Sequence, residues 1–90
     1  MADKIHFQIA TAEGVVCDSM ASYALIPLSD GDVGVLADHA PMIGALKEGV
    51  VKYVSEGADH FAAISGGVLS AADNEVILLA RTAERAETID

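Results

Sequence analysis

Ninety residues make one domain, and a chain this short buries only roughly 60–65% of its unfolded surface, so its margin of stability is small. Apolar residues are 52% of the chain but aromatics only 4%, with no Trp, which leaves Val, Ile, Leu and Ala to fill a core between closely packed layers. A net charge of −9, from fourteen acids and five bases, excludes the basic patch that nucleic acid needs, opposes adsorption to anionic lipid and favours basic partners.

In chain order, Lys4 to Ala10 alternates polar and apolar residues and reads as a half-buried strand. Ala12-Glu13-Gly14 is a turn. Val15 to Leu28 is too long for one ordinary strand and divides into two, with a bend or bulge expected near Asp18-Ser19. Ser29-Asp30-Gly31-Asp32 is a turn cluster, Val33 to Leu36 a short strand, and Ala37 to Pro41 a loop. Met42 to Leu46 and Val50 to Val54 flank Lys47-Glu48-Gly49 as an expected hairpin. Ser55 to Asp59 turns into His60 to Ser65, which Gly66-Gly67 separates from Val68 to Ala71. Asp73-Asn74 then turns the chain into Glu75 to Ala80.

Turns at roughly 8–12-residue intervals predict an all-β sandwich or barrel. The tail differs: Arg81 to Asp90 is rich in charges and helix formers, and Thr82 suits a helix cap. Residues 1–82 therefore read as a β-sandwich domain, and residues 83–90 as a helix-prone tail opening a helical region that does not continue in this chain. The longest apolar runs fall well short of the roughly 20 residues that span a bilayer. Met1 to Lys4 lacks the flank and apolar stretch of a signal peptide, so the expectation is a soluble cytosolic chain. Its one cysteine, Cys17, has no internal disulfide partner, in keeping with a reducing compartment.

No motif makes a case for catalysis. His6, His39 and His60 sit on separate elements without metal-ligand spacing, and His6, on the polar side of its strand, reads as a solvated side chain. Asp30-Gly31-Asp32 opens like a calcium loop, but Val35 stands at the sixth position and Pro41 at the twelfth, where Gly and Glu are required. Neither Gly31-x-x-Gly34 nor Gly66-Gly67 is followed by the Lys and helix of a phosphate cradle. Cys17 reads as a structural thiol. Tyr23 and Leu25 alternate with Ala24 and Ile26, so both faces of that strand are apolar. It is either buried within a sandwich or offers an apolar face to a partner.

The segment Gly31-Asp-Val-Gly-Val-Leu-Ala-Asp-His-Ala-Pro41 resembles the ATP synthase epsilon subunit (delta in mitochondrial naming), which reads there as Gly-x-x-Gly-hydrophobic-x-x-x-His-Ala-Pro. Ala45-Leu46-Lys47-Glu48-Gly49 resembles that family's Ala-Leu-Lys-Pro-Gly hairpin, with Glu48 for the usual Pro. Ser65-Gly66-Gly67 and Val76 to Ala80 resemble its Gly-Gly strand pair and its closing strand, and Ala83 to Glu87 followed by Ile89-Asp90 resembles the entry to its C-terminal helical hairpin. The likeness runs from about Ile5 to Asp90 without a gap; one departure is Ala37-Asp38, where many members have Pro-Gly.

This resemblance implies a flattened sandwich of about ten short strands. It implies a non-enzymatic central-stalk subunit that links the gamma subunit to the membrane c-ring, helps couple ion flow to ATP synthesis and takes no cofactor. The implied location is peripheral, on the cytoplasmic face of the bacterial inner membrane, without lipid insertion. By position, Ser29, Asp30, Asp32 and His39 match c-ring contacts, with the acids facing a basic ring residue. His39 equally suits a turn residue that fixes the Ala40-Pro41 corner. Tyr23 and Leu25 are the expected gamma contacts, and Gly31, Gly34 and Pro41 the residues that shape the loop. Glu84, Ile89 and Asp90 match the start of the family's nucleotide motif. Its arginines have no counterpart here, so ATP binding is not expected. The rival readings are an acidic all-β protein-binding adaptor and a small-ligand sandwich module.

Overall fold

Alternation of apolar and polar residues drives most of the chain into strands. In the computed structural model, which describes residues 3–86, these are β1 (Ile5–Thr11), β2 (Gly14–Ala21), β3 (Tyr23–Leu28), β4 (Gly31–Val35), β5 (Met42–Leu46), β6 (Gly49–Ser55), β7 (Ala58–Ala72) and β8 (Glu75–Ala86). Ile5, Phe7 and Ile9 of β1 are buried, while His6, Gln8 and Ala10 between them face outward.

Two layers form because β7 and β8 are long enough to serve both. The second half of β7 lies between β5 and the start of β8, and β8 continues through parallel pairing to β1 and then β2. We call this layer A. The first half of β7 lies between β6 and Thr82–Ala86, and β6 leads on to β3 and β4. This is layer B. Eight strands thus supply ten segments of an all-β sandwich.

The crossing point in β7 is Gly66-Gly67, with φ of 64° and 122°. Before it Ala62 and Ile64 point into the core; after it Leu69 and Ala71 do. Alternation is reset there, so both halves bury an apolar face. The sequence had suggested two strands separated at these glycines; they form one bent strand. Phe7 of layer A meets Tyr53 of layer B at the centre, their rings 4.8 Å apart, with Cys17 buried nearby.

Three expectations are corrected. First, Lys47-Glu48-Gly49 is not a hairpin. β5 and β6 both run antiparallel to β7 in one register, so they point the same way, and Lys47-Glu48 steps the chain between layers. The Lys47 N–H donates to the Pro27 carbonyl (3.1 Å), fixing that step.

Second, the Val15–Leu28 run divides at Ser22, whose N–H donates to the Val54 carbonyl (2.8 Å). The bulge lies at Val16, because Ile9 faces Cys17 while Ala10 faces Val15. The extra residue turns both Val16 and Cys17 toward the core.

Third, Thr82–Ala86 is strand and not helix. Helix preferences of a few tenths of a kcal/mol per residue yield to pairing with Phe61–Ser65. Thr82 caps nothing; its Oγ1 lies 2.6 Å from Ser65 Oγ. Of the helix-prone tail, residues 87–90 lie outside the described residues.

Candidate functional site

Register decides which apolar residues meet on the outside. Across layer A, Ala45 pairs with Val68, Val68 with Leu79, Leu79 with Ala10, and Ala10 with Val15. Directly paired residues share a face, so this is an uncharged row across five strands. Ile43 borders it, next to Ser70 and Ile77. Ile43 is 80% exposed, Val15 62%, Leu79 58% and Val68 47%. A contiguous apolar surface of this kind makes this face the candidate interaction site.

The same face turns polar toward the Asp73-Asn74 turn. His6 Nε2 lies 2.7 Å from Asp18 Oδ1, and its Nδ1 lies 3.0 Å from Glu75 Oε1. Gln8 Nε2 donates to the other Asp18 oxygen (3.2 Å). Two carboxylates can accept from one ring only if both nitrogens carry protons, so the geometry suits an imidazolium. Far from being merely solvated, His6 ties β2, β1 and β8 together. Among the described residues no group of His, Cys and acids is arranged to hold a metal.

The Asp18 hydrogen bond, aided by Glu75 and opposed by desolvation, raises the His6 pKa above 6.5. His6, with Gln8, lowers that of Asp18 below 3.8. A raised histidine stabilises the fold below its unfolded pKa and loses that contribution as pH rises through the folded value. A lowered aspartate stabilises above its unfolded pKa and loses that as pH falls. The cluster therefore contributes most between the unfolded values of 3.8 and 6.5. We expect wild-type melting temperature to fall more steeply than that of His6→Gln when pH is raised from about 6.5 to about 8.5. Equal slopes would show that the cluster contributes nothing.

The residues expected to touch partners fall in separate places. Ser29 and Asp30 form a two-residue turn joining β3 to β4, and Ser29, Asp30 and Asp32 are exposed there without an ion pair among the described residues. Gly31, at φ 126°, lets the chain leave this turn. His39 is not beside them: β4 separates the two, a span of ~13 Å. It shares a shallow depression with Leu36, Ala72, Asn74 and Glu75, and its Nδ1–H donates to the Ala40 carbonyl (2.7 Å).

Gly34 lies within β4, where its missing side chain leaves room for Tyr23; an added Cβ would stand 2.9 Å from the Tyr23 hydroxyl. Its role is packing and not turn geometry. Pro41 is exposed just before β5. Tyr23 and Leu25 are half-buried on β3 in layer B, away from the apolar row. Glu84 borders a depression with Glu48, Ser65 and Thr82, which holds two carboxylates and, among the described residues, no cation. Ile89 and Asp90 lie outside the described residues. Ile43, Val68 and Leu79 were not singled out from sequence; the alternation at Val68 and Leu79 exposes them only once strand register is known.

Comparison with known proteins accounts for the fold. Residues 4–86 match the family described as ATP synthase, delta/epsilon chain, beta-sandwich domain. The chain is 41% identical over its full 90 residues to the ATP synthase epsilon chain of Carboxydothermus hydrogenoformans, spanning 67% of that protein. It is 36% identical to the corresponding chain of Desulfitobacterium hafniense, spanning 68%. Its fold superposes along its whole length on a chain of the Euglena gracilis mitochondrial ATP synthase OSCP/F1/c-ring structure, with a TM-score of 0.89 and 24% identity. It spans 58% of that chain. A chain of the Tetrahymena thermophila mitochondrial ATP synthase central stalk and c-ring is similar over 90% of its length, with a TM-score of 0.75 and 12% identity. The chain belongs to the ATP synthase delta/epsilon family, through its β-sandwich domain.

Proposed function

We propose that this domain is a non-catalytic foot of the central stalk: the outer face of layer A receives the gamma subunit and the Ser29–Asp32 turn rests on polar loops of the c-ring. The observation that carries this reading is the uncharged row Ala45–Val68–Leu79–Ala10–Val15, extended by Ile43. Burying such a row favours association by roughly 25 cal/mol per Å² of apolar surface removed from water, before the costs of binding. On this reading gamma docks on layer A, whereas the sequence points to Tyr23 and Leu25 of layer B.

Asp30 and Asp32 suit basic groups on the ring. An exposed pair of this kind adds only about 0–1 kcal/mol but sets orientation. The enzyme as a whole is a peripheral assembly on a membrane, and the cytoplasmic face is the side we assign. Glu84 shares its depression with Glu48 and with no cation among the described residues, which favours a part that carries torque over one that holds a nucleotide.

Calorimetric titration of purified gamma subunit tests the reading directly. Binding at micromolar or lower concentration is expected, and its absence would sink the proposal. For the ring end, Asp32→Lys in the reconstituted enzyme is expected to reduce ATP-driven proton pumping more than ATP hydrolysis. Unchanged pumping would count against the acidic turn as a ring contact.

A further inference from the structure

The loop between β4 and β5 has no strand pairing of its own, yet it is held at the polar end of the layer A face, against the Asp73-Asn74 turn and two residues before Ile43. Its turn is Leu36-Ala37-Asp38-His39, closed by His39 N–H donating to the Leu36 carbonyl (3.3 Å). Asp38, the third residue, has φ 65°. A positive φ there defines a type II turn, which favours Pro at the second position and Gly at the third. This chain has Ala37 and Asp38 instead, so the turn lacks the residues that would hold it unaided.

What replaces them comes from the opposite side of the molecule in sequence. Asn74 Oδ1 accepts the Asp38 N–H at 2.6 Å, and Asn74 Nδ2 donates to Asp38 Oδ1 at 3.2 Å. Asn74 is itself anchored. It follows Asp73 in a two-residue turn with φ of 53° and 63°, a type I′ hairpin turn between paired Ala72 and Glu75. Its carbonyl accepts the His6 N–H at 2.8 Å. A hairpin turn fixed on both sides is the rigid member of the pair, and the unpaired loop is the member being held.

We propose that Asn74 is a positioning residue: through Asp38 it fixes the loop that presents Leu36 and His39 beside the layer A face, in place of a Pro-Gly turn. Leu36 is 57% exposed there. The functional consequence, though not the clamp itself, rests on the reading that gamma docks on this face.

The test uses Asn74→Gly, which removes the side chain and accepts the left-handed backbone. Losing these bonds is expected to speed amide hydrogen exchange at Asp38 and His39 about tenfold while core amides of β1 and β7 stay unchanged. Adding Ala37→Pro and Asp38→Gly to that variant is expected to return His39 exchange to the wild-type rate. Affinity for gamma should fall and recover in parallel. Unchanged exchange in Asn74→Gly overturns the proposal. So does a uniform acceleration through the whole molecule, which is the mark of a general loss of stability, and so does failure of the rescue. If exchange responds and recovers as expected but gamma affinity does not move, the clamp stands and the placement of gamma on layer A is what fails.

Discussion

Gly67→Ala is expected to destabilise the domain by about 2–6 kcal/mol, or to prevent folding. A Cβ at this position would run into the Leu79 carbonyl oxygen and stand 2.8 Å from the Ala80 Cα and 2.9 Å from the Leu79 carbonyl carbon. All three are backbone atoms of the adjacent strand, so no side chain can swing away. Overpacking of this kind costs about 1–3 kcal/mol, and a non-glycine residue forced to φ 122° adds about 1–3 kcal/mol more. A domain of 90 residues has roughly 5–13 kcal/mol in total. Gly57→Ala is the control: its φ of 75° is also positive, but nothing lies within 4 Å of the added atom, so about 1 kcal/mol is expected. Urea denaturation measures both. A Gly67→Ala midpoint no lower than that of Gly57→Ala would show that the bend in β7 tolerates a side chain.

Leu79→Glu is expected to weaken binding of the gamma subunit at least about 100-fold, or ~2.7 kcal/mol, because it would bury an unpaired carboxylate in the middle of an apolar contact. Leu79 is already 58% exposed in the free domain, so stability should change by no more than about 0.5 kcal/mol. Val50→Glu, on the outer face of layer B and 43% exposed, makes the opposite case. It should leave binding within about threefold if gamma docks on layer A. The reverse pattern, with Val50→Glu abolishing binding and Leu79→Glu harmless, would move the contact to layer B and to Tyr23 and Leu25.

Much of the architecture is legible in the sequence because it is local. Alternation marks β1, and short polar clusters mark the turns at Ser29-Asp30 and Asp73-Asn74. What is not legible depends on pairing between distant residues. Lys47-Glu48-Gly49 has the composition of a hairpin, but its neighbours both pair with β7 and the turn never closes. Arg81–Ala86 has helical preference and is overruled by a partner strand some twenty residues earlier. The apolar outer surface is assembled from Ile43, Val68 and Leu79, each an ordinary outward residue of its own strand, joined only by register. His6 meets Asp18 and Glu75 across 12 and 69 residues, a convergence that spacing along the chain does not reveal. The family resemblance identified the chain, yet grouped His39 with the acidic turn from which β4 separates it.

Because β7 and β8 pass uncut from one layer to the other, the two layers cannot slide past each other as separate plates. A sideways load on Val68 or Leu79 is carried along covalent backbone to Ala62 and Ala83, and from there through strand pairing to the turn at Ser29-Asp30. Sandwiches whose sheets touch only through side chains resist such shear by packing alone. Here the stiff axis is the peptide chain itself, bent once at Gly66-Gly67. A part placed between a turning shaft and the ring that turns it would then yield little before it moves.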